Sequence, residues 1–355
     1  MDAKLRASLR RENQIKMLSV LAILVGCGVI LFAVNNLLVS FILAFVTNYL
    51  LSPIVDFLER KRVPRQTAIL IPFIATACLI TFGVYKVVPL LNQQMELLAS
   101  QLPKYQADLM NLVSGTEQRF KVFFKLYNVN FSQAINDWIV AKTQILSSAL
   151  PSIVSGSLTV LILTPFFAYF MLQDGRRLTR TLMSLVPNSI FEIALDLQHQ
   201  LNDQMGGFIR ARFLEAAIVG VVVWLGLQIA GFPYASLLGL FAGLTNLIPY
   251  LGPLIGAVPA ILIALISEDG MIASTMSLNL IIITSIYFFA QLVDIVFIIP
   301  FVVAKIVNLH PVTVVIVIII GSQVMGILGM IISIPIASAI KLVFQTFYRH
   351  LTEYE

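Results

Sequence analysis

Residues 244–262 read Leu-Thr-Asn-Leu-Ile-Pro-Tyr-Leu-Gly-Pro-Leu-Ile-Gly-Ala-Val-Pro-Ala-Ile-Leu, and the fold turns on how that stretch can be housed. It lies in a run without a charged residue from Ala216 to Ser267, so lipid or protein interior must surround it. Yet Pro249, Pro253 and Pro259 fall inside it, with Gly252 and Gly256 between them. Each proline deletes a backbone donor and crowds the carbonyl one turn back. Water cannot repair such a break in hydrocarbon; only protein or a hydrated cavity can. The spacing predicts a helix broken at membrane depth, the strongest pointer a sequence gives to a transport site. The competing reading is a kink that serves packing alone, because Gly and Pro are common in membrane helices.

Composition agrees with a bilayer. Hydrophobic residues make up 59% of the chain, charged residues 12%, and the mean hydropathy is +0.93. A soluble domain needs about 25% charged residues to cover its surface. The chain therefore reads as an all-α, polytopic helical membrane protein. Its net charge of +5 is topology information rather than a nucleic-acid footprint, since the basic residues lie at the termini and in short loops. Cys27 and Cys78 stand in apolar runs as small hydrophobes and define neither a disulfide framework nor a metal site.

Working outward, Lys4, Arg6, Arg10, Arg11 and Lys16 precede an uncharged run from Met17 to Val55. One crossing takes about 20 residues, so this run is nearly two, turning near Asn35-Asn36. The basic loop Glu59-Arg60-Lys61-Arg62 with Arg65 then lies on the cytoplasmic side with the amino terminus. A third crossing runs from Gln66 to Val88 and ends at Pro89. Beyond it Leu91, Met95, Leu98, Leu102, Tyr105, Leu109 and Leu112 recur at helical spacing among polar residues, the pattern of surface amphipathic helices. Pro103 and Ser114-Gly115 are expected to break them. The expected division is membrane segments at 1–89, extracytoplasmic amphipathic helices at 90–151, and a main membrane transport domain at 152–355. A cytoplasmic amphipathic helix at 174–212 belongs to that last part.

Crossing four is expected to stop at Asp174-Gly175-Arg176-Arg177. After Pro187, Ile190, Ile193, Leu197, Leu201, Met205 and Phe208 form one apolar face, opposite a solvated face of Glu192, Asp196 and Asp203. Gly206-Gly207 with Arg210 and Arg212 marks re-entry into the membrane. Crossing five, from Phe213 to Ala230, leads into the opening stretch. There Gly239 and Gly243, like Gly252 and Gly256, are four apart and present flat faces for close helix approach. Residues 234–266 could cross once or fold back as a re-entrant hairpin. In the next segment Asp294 is an isolated carboxylate in an apolar run, with Gln291 on the same face. Such a residue usually serves ion, proton or substrate passage. The alternative is a position near the membrane edge, paired with Lys305 or capping a helix after Pro300. The last apolar run, from Pro311 to Ile340, carries Gly321, Ser322, Gly326, Gly329 and the breaker Pro335 in mid-span, so it is a tilted or interrupted crossing. His199 and His310 stand alone, without the companions a metal site needs.

Four stretches now carry a resemblance: Leu51-Ser52-Pro53-Ile54-Val55-Asp56-Phe57-Leu58-Glu59, Ala168-Tyr169-Phe170-Met171-Leu172-Gln173-Asp174-Gly175, Ile248-Pro249-Tyr250-Leu251-Gly252-Pro253 with Gly256 and Pro259-Ala260, and His310-Pro311 with Gly321, Gly326, Gly329 and Pro335. In this order they resemble the autoinducer-2 exporter family of bacterial permeases, over about Met17 to Val343, as expected of a helical membrane fold of this length. Gln291, Asp294 and Pro300 also fall on that family's acidic segment before a proline. The resemblance implies a multi-pass protein of the bacterial inner membrane with about eight membrane segments. It implies a homo-oligomer, a pentamer, that exports a small polar solute such as autoinducer-2; other members exchange sodium or lithium for protons.

A secondary transporter is the leading expectation. Asn246, Pro249, Tyr250, Gly252, Pro253, Gly256 and Pro259 would bind or gate the solute, and Asp294 with Gln291 would couple it to protons or sodium. Gly239, Gly243, Gly321, Gly326, Gly329 and Pro335 would serve as packing points or hinges. No cofactor and no nucleic acid is implied, and no Gly-rich Lys-Ser/Thr nucleotide motif is present. An intramembrane enzyme would need a nucleophile with its base, and neither His-Glu-x-x-His nor Gly-x-Ser-x-Gly occurs. A membrane scaffold, binding another protein through residues 90–150, is the other alternative.

Overall fold

A computed structural model describes residues 36–119, 159–186, 190–249, 251–266, 273–296 and 309–352, with a few isolated positions before them. The described residues are helical with short turns, and no strand occurs among them. In chain order the helices are α1 (Leu37–Arg60), α2 (Arg65–Arg119), α3 (residues 159–183), α4 (Phe191–Ile229), α5 (Ala235–Asn246), α6 (Leu251–Ile266), α7 (Ala273–Val293) and α8 (Pro311–Thr352). Among the described residues four helical stretches are long and apolar enough to cross a membrane by length and composition: Leu37–Arg60, Arg65–Gln94, Leu278–Val296 and Pro311–Thr346. On α2 the large apolar side chains Leu79, Ile80, Phe82 and Tyr85 stand exposed, the mark of a helix that meets lipid or another subunit.

The first expected crossing and Asn35 lie outside the described residues, apart from a few isolated positions. Asn36 adopts a left-handed conformation (φ 64°) immediately before α1, which Asn tolerates better than most residues. Several expected breaks are absent. α2 continues through Pro89, Pro103 and Ser114-Gly115 to Arg119. α3 runs through Asp174–Arg177 to residue 183, and α4 runs through Gly206-Gly207 without interruption. A proline removes one hydrogen bond and a glycine costs about 1 kcal/mol. Neither stops a helix whose flanking turns remain paired. The amphipathic face of α4 is as expected: Ile193, Leu197, Leu201 and Met205 are half-buried, Phe208 is buried, and Glu192, Asp196 and Asp203 are exposed. The expectations for residues 120–158, for Tyr250, for the turn at 267–271, and for Pro300 and Lys305 lie outside the described residues.

The decisive break is real. α5 ends at Asn246 and α6 begins at Leu251, with Pro249 in the turn between them. At 1.5 Å per residue the arms are about 18 and 24 Å long, each short of the roughly 30 Å hydrocarbon core. They fold back on each other. A Cβ on Gly252 would overlap the Thr245 carbonyl, and one on Gly256 would lie 2.7 Å from Thr245 Oγ1 and 3.2 Å from Ala242 Cα. The stretch is a helical hairpin, not a single straight crossing. Its arms share a core with α4 and α7 that includes Val223, Leu227, Leu238, Ala242, Ala260 and Ile283.

α8 is also divided. Met325 (φ −144°, ψ 17°) and Gly326 (φ 60°, ψ −137°) are not helical. In an unbroken helix residues 321 and 329 would be about 12 Å apart along the axis. Here a Cβ on Gly321 would come within 2.8 Å of the Gly329 carbonyl carbon. The chain reverses at Gly326, whose positive φ suits a residue without a Cβ. Pro335 stays within the returning arm.

By its contacts the chain forms two compact units. One comprises Met1–Cys78, Ser155–Arg210 and Ile306–Glu355; the other comprises Leu79–Val154 and Ala211–Lys305. The α5–α6 hairpin belongs to the second, and the turn of α8 to the first.

Candidate functional site

In the second unit, α4 positions the site. Its small residues Ala216 and Gly220 face Gly243 and Gly239 of α5. A Cβ on Gly243 would lie 2.9 Å from the Ala216 carbonyl oxygen, and one on Gly220 would lie 3.1 Å from that of Gly239. The glycine pair on α5 is thus a close-packing seam, as its spacing predicts. The base of the hairpin is tied to α2. Gln94 Oε1 accepts a hydrogen bond from the Leu237 amide at 2.9 Å, and Tyr234 Oη donates to Gln101 Oε1 at 3.0 Å. Leu237 lies in the first turn of α5, where amides have no helical acceptor, so Gln94 stands in as one.

This packing carries Asn246, the last residue of α5, into the interior, where it is 2% exposed. Its Nδ2 faces Glu215 Oε1 of α4 at 3.4 Å. Glu215 is itself 2% exposed and accepts a 2.5 Å hydrogen bond from Arg212 Nη1, three residues earlier on the same face. Asp294 arrives from the end of α7, 3% exposed, with Gln291 Nε2 donating to its Oδ2 at 3.4 Å. The Glu215 and Asp294 carboxyls lie within hydrogen-bonding reach of each other. One oxygen on each, Glu215 Oε2 and Asp294 Oδ1, has no hydrogen-bond donor. Arg212, Glu215, Asn246, Gln291 and Asp294 therefore make one buried polar cluster where α4, the hairpin tip and α7 meet.

Beside the cluster is a hollow of about 190 Å3, lined by Val219, Val223, Ala242, Pro253, Gly256, Tyr287, Ala290 and Gln291. Tyr287 Oη is buried there without a partner. A volume of this size accommodates a small molecule or several waters. A larger groove of about 510 Å3 runs along α2, α4 and α5 past Leu90, Trp224, Leu240 and Leu247. Its walls are almost wholly apolar and give a polar solute nothing to bind.

Of the residues expected at the site, the structure unites Asn246, Pro253, Gly256, Gln291 and Asp294. Pro249 is buried in the hairpin turn, Gly252 packs against the other arm, and Pro259 lies further along α6. Gly239 and Gly243 belong to the seam. Gly326 makes the reversal of α8, in the other unit, with Gly321 and Gly329 packed against each other across it and Pro335 within the returning arm. Arg212, Glu215 and Tyr287 were missed. Arg212 had been taken as a boundary charge, and Glu215 stands directly before the uncharged run. The available signal was their three-residue spacing, which places acid and base on one helical face. Among the described residues no three His, Cys, Asp or Glu side chains converge as metal ligands.

A family model described as AI-2E family transporter matches residues 18–349. The chain is 28% identical over 332 residues to "Putative transport protein YrrI" of Bacillus subtilis (strain 168), which covers 90% of this chain and 89% of that protein. It is 25% identical over 339 residues to "Putative permease PerM" of Escherichia coli (strain K12), covering 94% of each.

Proposed function

The chain belongs to the AI-2E transporter family, and from that premise we propose a secondary transporter that exports a small polar solute across the bacterial inner membrane. Autoinducer-2 is the first candidate cargo, because the resemblance points to it. The observation that carries the reading is the broken α5–α6 hairpin with a polar-edged hollow beside its tip. Backbone interrupted at membrane depth is tolerated where it lines a cavity, and such interruptions mark substrate sites in transporters. The solute would occupy the space between Pro253, Gly256, Tyr287 and Gln291, with Tyr287 Oη and the Gln291 amide as its polar contacts. Asp294, one turn from Gln291, would couple movement to an ion gradient. As the resemblance suggests, the working form would be a pentamer, which the mass of the purified particle tests.

A second reading, exchange of sodium or lithium for protons, is favoured by the buried Glu215–Asp294 pair. Both readings are tested in liposomes containing this protein alone. Gradient-driven solute or sodium flux is expected, and Asp294→Asn should abolish its dependence on the ion gradient. Absence of any flux would instead favour a scaffold; flux in the variant with unchanged gradient dependence would remove Asp294 from coupling.

A further inference from the structure

Glu215 and Asp294 come from different helices, yet their carboxyls lie within hydrogen-bonding reach in an interior that leaves them 2% and 3% exposed. Ionised carboxylates only accept hydrogen bonds, so two in contact repel and leave both facing oxygens unsatisfied. Glu215 Oε2 and Asp294 Oδ1 are buried without a hydrogen-bond partner. The charge count leads to the same place. Arg212 brings one positive charge on α4 against two carboxylates. Among the described residues the other helices packed there add no charge: α5 contributes the neutral Asn246, α6 has no titratable residue, and α7 adds Gln291 and the Tyr287 phenol. An uncompensated negative charge in an apolar interior is among the costliest arrangements a membrane protein can hold. One proton removes the charge, the repulsion and the orphaned oxygens together.

We infer that Glu215 and Asp294 hold a single proton shared between their carboxyls, with Arg212 fixing that number at one. The role of the pair in transport rests on the reading above; its existence does not. The proton would leave as a cation, and the hollow that Gln291 and Tyr287 line is the route nearest to hand. The site then carries a net negative charge until a proton or another monocation replaces it. This makes Glu215, not Asp294 alone, part of the exchanging unit.

Infrared spectroscopy of the purified full-length protein at neutral pH tests the pair directly. The wild type should show the carbonyl stretch of a protonated carboxyl, shifting in heavy water. Glu215→Gln and Asp294→Asn should each lose that band, because the remaining carboxylate is ionised against Arg212. Arg212→Gln should raise it to about twice the wild-type area, since both carboxyls must then be neutral. A wild type without the band, or a band that survives in either carboxyl variant, overturns the shared proton. Both carboxyl variants keep a neutral cluster, and the melting midpoint checks that they fold. Should one fail to fold, the other still decides. A band with no flux in liposomes would refute the transport reading and leave the pair; flux without a band would do the reverse.

Discussion

The described residues hold two ionic clusters, one in each unit, and they are built to opposite specifications. In the first unit Arg65, at the start of α2, donates to Glu59 Oε1 at 2.8 Å and to the Leu172 and Gln173 carbonyls of α3. Arg176 of α3 reaches Asp56 Oδ1 and Glu59 Oε2, both at 2.7 Å. Two acids meet two bases, and Arg65 also satisfies carbonyls on a neighbouring helix. The same three helices share an apolar cluster of Leu51, Val55, Ala68, Ile69 and Leu172, and Arg176 remains 56% exposed. In the second unit two acids meet one base, all three nearly buried, and an oxygen on each acid lacks a donor. A matched set near the surface clamps three helices. A mismatched set in the interior leaves the acids in excess among the described residues.

That contrast can be broken at four points. The largest effect is expected from Arg212→Leu, which leaves carboxyls buried without their cation and should cost about 3–5 kcal/mol. Thermal unfolding in detergent would show it as a large fall in midpoint. The triple change Arg212→Leu, Glu215→Leu, Asp294→Leu sharpens the comparison, because replacing a whole buried ionic set by apolar residues is often neutral. It should recover most of the midpoint while gradient-dependent flux stays absent. In the clamp, Arg65→Leu should cost about 1–3 kcal/mol through the unsatisfied acceptors it leaves on Glu59, Leu172 and Gln173. Arg176→Gln should cost at most about 1 kcal/mol, and high salt should erase the difference from wild type. A salt-insensitive Arg176, or a harmless Arg212→Leu, would collapse the distinction between the two clusters.

The sequence made the hairpin break legible because three prolines within an uncharged run leave few alternatives. The fold-back itself was not legible, since only the contacts of Gly252 and Gly256 with the opposite arm distinguish it from a kinked crossing. The last apolar run reads as a tilted or interrupted crossing, whereas α8 reverses at Gly326 and stays helical through Pro335. Pro89, Pro103 and Gly206-Gly207 carried the same local signals and broke nothing, because those helices stay paired around them. Half of the buried cluster was visible: Asp294 and Gln291 stand out in an apolar run. The other half was hidden among charges that also report topology. Arg212 and Glu215 follow Arg210 at the edge of that run, and only folding shows that Glu215 faces Asp294 from another helix. The clamp was misread in the same way. Glu59, Arg65 and Arg176 were treated as markers of sidedness, whereas their side chains pair with one another.

The seam between α4 and α5 has a mechanical consequence. Helices usually lock in register because side chains of one drop between those of the other. Where Ala216 and Gly220 meet Gly239 and Gly243, backbone lies almost directly on backbone. The rail has no teeth along that length. Trp224, whose Cβ abuts Gly239, stands at one end of it like a buffer. A shift of the hairpin arm along α4 would meet little side-chain resistance at these four positions, and it would carry Asn246 away from Glu215.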